Sequence, residues 1–96
     1  MSWSVDISTM EEIGIHDLRK AIHEMPEDLN AGCDEWQNMW TMDFANACVY
    51  KPNKGKKEIS IIGGGFSQSY AEYFADTLAN KLTELGYHVK VGPVLW

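Results

Sequence analysis

The stretch from Glu58 to Val94 constrains this chain more than any other. A short apolar run, Ile59-Ser60-Ile61-Ile62, leads into three glycines, Gly63, Gly64 and Gly65. The clearest helical pattern in the chain follows. Tyr70, Tyr73, Phe74, Thr77, Leu78, Leu82 and Leu85 recur at intervals of three and four, so they share one face. Ser67 and Ser69 are placed to cap its start, with Ser69 and Glu72 at capping-box spacing. Gly86 stands where a left-handed residue ends a helix, and Tyr87 is placed to touch Leu82. Val89 and Val91 then alternate with His88 and Lys90, as in a strand. The pattern predicts a strand over 57–62, a helix over 68–85 and a strand over 88–94.

Upstream, Trp3, Val5 and Ile7 alternate with polar residues and predict a half-buried strand over 2–8. Ile15, Leu18, Ile22 and Met25 give the core stripe of a helix over 15–25, stopped by Pro26. Pro26-Glu27-Asp28 offers another helical turn, and Asn30-Ala31-Gly32 a break. The spacing of Trp36, Met39 and Trp40 predicts a short helix over 34–42. A strand is expected over 43–50, joined to the strand at 57–62 through the turn residues Pro52-Asn53-Lys54-Gly55. The order strand, helix, strand, strand, helix, strand predicts an α+β domain over residues 1–96. It is similar to the ferredoxin-like βαββαβ sandwich: a four-stranded antiparallel sheet with two helices on one face. Residues 26–43 would be an insertion after the first helix.

Composition narrows the function classes. A hydrophobic fraction of 45% is that of a folded globule, and no apolar run reaches membrane-spanning length. Residues 1–50 carry ten acids and two bases, while 51–96 carry four acids and six bases; the chain totals −6. An acidic protein is repelled by phosphate backbones, which disfavours direct nucleic-acid binding. The predicted third strand offers no aromatic residue for stacking bases. Lys51, Lys54, Lys56 and Lys57 around the turn amount to a weak anionic contact at most. Met1-Ser2-Trp3-Ser4-Val5-Asp6 lacks the basic start and apolar centre of a signal peptide. Cys33 and Cys48 form no CxxC, so reduced thiols in a cytoplasmic protein are expected.

Catalytic and cofactor motifs are weak throughout. Gly63-Gly64-Gly65 with Ser67 and Ser69 has neither P-loop nor GxGxxG spacing. It supports a secondary reading as a small-ligand or nucleotide-binding turn at a helix start. Its plainer reading is a tight connection where side chains would clash. His16 and His23 stand seven apart instead of three or four, so no metal site is expected. No serine elbow or paired carboxylates point to an enzyme.

The richest feature is 24–43, which holds Glu24, Glu27, Asp28, Asp34, Glu35 and Asp43 with no base, interleaved with Trp36, Met39, Trp40 and Met42. Large rings within an acidic surround are suited to protein binding, where rings anchor and charge steers. The expected function is therefore a small acidic domain that binds a basic surface of a larger protein. Size and charge suggest an inhibitor, such as an immunity protein or a phage-encoded inhibitor of a host enzyme. The expected contact residues are Glu27, Asp28, Asp34, Glu35, Trp36, Trp40 and Asp43. A homodimer through a sheet edge or through Pro93-Val94-Leu95-Trp96 is the remaining expectation, since a terminal tryptophan needs cover.

Overall fold

The computed structural model describes residues 2–51, 57–65 and 67–96. In chain order these form β1 (Ser2–Thr9), α1 (Ile15–His23), α2 (Glu27–Asn30), β2 (Cys33–Trp36), β3 (Met39–Met42), β4 (Ala47–Tyr50), β5 (Glu58–Gly64), α3 (Gln68–Glu84) and β6 (Val89–Val91). The strands make one sheet in the order β2-β3-β4-β5-β1-β6, antiparallel throughout. The α+β class expected from the sequence holds. The four-stranded ferredoxin-like sandwich with two helices does not, because the described residues form a six-stranded open sheet with three helices. The expected turn at 52–55, with Lys54 and Lys56, lies outside the described residues.

The discrepancy arises mainly in the expected insertion. Trp36, Met39 and Trp40 fit helical spacing, yet residues 33–42 form the hairpin β2–β3. Gln37 and Asn38 have φ of 46° and 65°, the two positive values that a two-residue hairpin turn matching strand twist requires. Beyond the turn, exposed Met39 and Thr41 alternate with buried Trp40 and Met42, a period of two. The strand expected over 43–50 is shorter than that, because Asp43–Asn46 turn first, with Asn46 at φ 51°. The helical turn after Pro26 does form, as α2. It also completes α1: the Asn30 side-chain nitrogen lies 2.8–3.2 Å from the carbonyl oxygens of Ile22, His23 and Met25. Carbonyls at a helix end lack partners within the helix, and that of Ile22 also accepts the Met25 N–H at 3.2 Å.

Both long helices cover the same face of the sheet. Trp3, Val5 and Ile7 of β1, Ile59 and Ile61 of β5, Val49 of β4 and Trp40 of β3 all point toward them and are buried. From α3, Ala71, Phe74, Ala75, Leu78, Ala79 and Leu82 meet that layer. The buried stripe thus runs through alanines, while Tyr73 of the expected face is exposed. Small residues let the helix approach the sheet closely. The helix ends as its sequence requires: Gly86 has φ 101°, and the N–H groups of Gly86 and Tyr87 donate to the carbonyls of Thr83 and Leu82. The Tyr87 hydroxyl then donates to Asp17 Oδ2 at 2.6 Å and accepts from Gly14 N–H at 3.0 Å, tying α3 to the start of α1.

Leu78 and Leu82 are fully enclosed at the centre of this layer. Truncating either to alanine should cost about 2–5 kcal/mol, measured by denaturant unfolding. A loss below about 1 kcal/mol at both would show that α3 is not packed as described.

Candidate functional site

Antiparallel register decides which side chains reach the face that no helix covers. Directly opposed residues point to the same side of a sheet. One row across five strands is therefore Asp34, Thr41, Cys48, Ile62 and Ser4, continued by Leu95 through its bridge to Ser4. The next row is Trp36, Met39, Tyr50, Ser60 and Asp6. Five large side chains stand clear of the core here: Trp36 is 73% exposed, Leu95 56%, Ile62 51%, Tyr50 38% and Met39 37%. Among them stand Asp34 and Asp6, and a third row, Glu58, Ser8 and Lys90, follows on the same side. Lys90, opposite Ser8, is the one base in these rows among the described residues. At the end of the sheet, Asp43 joins Thr41, Cys48, Ile62 and Ser2 around a shallow groove of about 440 Å³.

The residues expected to bind a partner are divided by this geometry. Asp34, Trp36 and Asp43 lie on the open face. Trp40 is wholly buried on the other side, and Glu35, opposite Trp40, points the same way. Glu35 is held there by Arg19 of α1 through two hydrogen bonds, at 2.8 Å to Oε1 and 2.7 Å to Oε2. Trp40 Nε1–H donates to the same Oε1 at 2.7 Å. Glu27 and Asp28 sit on α2, where the Asp28 carbonyl accepts the Tyr70 hydroxyl at 2.7 Å. The expected contact residues omit Tyr50 and Ile62, which stand on this face beside Met39 of the stretch singled out in the sequence.

The glycine turn has structural explanations. A Cβ on Gly63 would lie 2.3 Å from Trp3 Cζ2, so the indole occupies the space that any side chain would need. Gly65 has φ 80°, which side chains rarely tolerate. Asn46 brackets Gly64: its carbonyl accepts the Gly64 N–H at 3.1 Å and its Nδ2 donates to the Gly64 carbonyl at 3.0 Å. Ser67 caps α3 by accepting the Tyr70 N–H at 3.3 Å, while Ser69 lies in the first helical turn.

The remaining reactive groups are quiet. Partial burial pushes the Cys33 and Cys48 thiols up, with Asp34 and Glu35 adding to the effect at Cys33. Raised thiols are poor nucleophiles at neutral pH. Among the described residues no group of three or more His, Cys, Asp or Glu could hold a metal ion. None of the described helices is long and apolar enough to cross a membrane.

Two substitutions check this geometry. Gly63→Ala should cost about 1–3 kcal/mol by overpacking, and much of that should return in the double variant with Trp3→Leu. Glu35 is lowered from 4.5 to about 2, first by the Arg19 hydrogen bonds and then by Trp40. A depressed carboxylate stabilises the fold above its unfolded value and loses that contribution as pH falls toward the folded one. Glu35→Gln should therefore lower the melting temperature at pH 7, and the deficit should close between about pH 4.5 and 2. A deficit independent of pH would mean that the charge of Glu35 does not hold the hairpin to α1.

No family model matches this chain, and neither a curated protein nor a solved structure is significantly similar to it.

Proposed function

We propose that this chain is a small acidic protein-binding domain that engages a basic surface of a larger partner through the open face of its sheet. The observation that supports this is one surface combining exposed Trp36, Met39, Tyr50 and Ile62 with Asp6, Asp34, Asp43 and Glu58. Apolar rings exclude water at the centre of an interface, and a ring of like charge selects the partner and speeds encounter. The groove beside Asp43 is shallow, which suits a broad protein contact more than an enclosed small ligand. A domain of this size that covers a basic surface of its partner would act by occupying it, the action of an inhibitor.

The test is comparative capture. Tagged wild type, Asp34→Lys and Trp36→Ala, each shown to melt as wild type does, are used to recover partners from the source cell. The bound protein is then purified and its kinetics measured. Asp34→Lys should slow association and flatten its dependence on salt, since steering charges act on the on-rate. Trp36→Ala should speed dissociation and weaken binding by about 2 kcal/mol or more if the ring is an anchor. Unchanged binding by both variants, with loss on substituting exposed Tyr73 of α3, would move the interface to the helical side.

A further inference from the structure

Within that reading, we infer that β2 is a docking edge that takes an extended, basic segment of the partner as an added strand. β2 ends the sheet order, and no backbone hydrogen bond among the described residues reaches its outer side. The two-residue turn makes Trp36 and Met39 a hydrogen-bonded pair, so Asp34 and Thr41 are the next such pair. The N–H and C=O groups of Cys33 and Glu35 therefore point outward, in position to bond another strand.

The side chains on this edge define what fits. On the open face they are Asp34 and Trp36, a carboxylate and an indole that is 73% exposed. Both favour a cation: the carboxylate by charge, the indole through its ring face. An added strand with lysine or arginine at alternate positions would set those cations over Asp34 and Trp36. On the helix side, Cys33 is half-buried and Glu35 is already engaged by Arg19, which leaves room for small apolar residues.

The same charges oppose a second copy of this chain. A two-fold axis perpendicular to the sheet keeps the faces aligned only when residues of equal parity oppose each other. Centred on either middle residue of β2, such pairings place Asp34 against Asp34 or Glu35 against Glu35. Like charges directly opposed destabilise a sheet. In those registers the edge disfavours a second copy and favours a basic strand.

The probe is a capped eight-residue peptide of alternating lysine and valine, titrated into the full chain and followed by amide shifts and hydrogen exchange. Saturable binding should slow exchange at Cys33 and Glu35 by about tenfold or more at saturation. N-methylating alternate peptide nitrogens, which removes strand pairing and keeps charge, should weaken binding by about tenfold or more, as should Asp34→Lys. Tyr50→Ala and Ile62→Ala, away from the edge, should leave peptide binding unchanged while loosening the captured protein partner. Equal binding of the N-methylated peptide, protection at β6 instead of β2, or no saturable binding would overturn the inference. So would self-association protecting Cys33 and Glu35. A partner that still depends on Trp36, Tyr50 and Ile62 after the peptide fails would leave the face in place without the edge.

Discussion

The structure depends on one contact made between its two longest strands, β1 and β5: the Trp3 indole laid across Gly63. The two residues are paired in the β1–β5 register, so the ring fills the place of its neighbour's absent side chain. That lets a large ring be buried beneath α3, where it meets Phe74 at a centroid distance of 6.4 Å, the two rings tilted by 58°. Gly63 cannot accept a side chain without displacing the ring, and a displaced ring would strike α3. The glycine-rich connection, the helix it launches and the strand β1 are therefore one packing unit.

The hairpin β2–β3 forms one end of the sheet and has its anchorage on its helix side. Trp40 supplies it by burial, and Glu35 supplies it by joining Arg19 to the indole N–H. Adjacent residues in β2 thus have opposite uses. Glu35 directs its charge toward Arg19 of α1 on the helix side, whereas Asp34 keeps its charge for the open face. An acidic run that looks uniform in sequence is divided by strand alternation into a structural half and an available half.

That division shows what could be read beforehand and what could not. The long helix, its buried Leu78 and Leu82 and its ending at Gly86 were legible because each depends on neighbours within a few residues. So was the first strand, from simple alternation. The hairpin was not, because Trp36, Met39 and Trp40 satisfy helical spacing equally well, and the decision falls to a turn at Gln37-Asn38 that contains no glycine. The reason for Gly63 was also hidden, since it lies in a ring far away along the chain. At the candidate site, composition found Asp34, Trp36 and Asp43. It could not separate Trp36 from Trp40, nor see that Tyr50 and Ile62 would stand beside them, because those relations belong to register.

The position of β1 between β5 and β6 governs how the chain can come together during synthesis. The strands β2 to β5 follow one another along the chain and pair as successive neighbours. β1 is made before all of them and has to wait: its partners are residues 58–64 on one side and 89–91 on the other, with Leu95 bridging back to Ser4. Until those residues have left the ribosome, Trp3, Val5 and Ile7 have neither a sheet nor a helix to cover them. Contacts of such long sequence separation close slowly and leave apolar strands exposed meanwhile. The polar residues alternating with them, Ser2, Ser4, Asp6 and Ser8, interrupt the apolar run, a pattern less prone to aggregation than a continuous one.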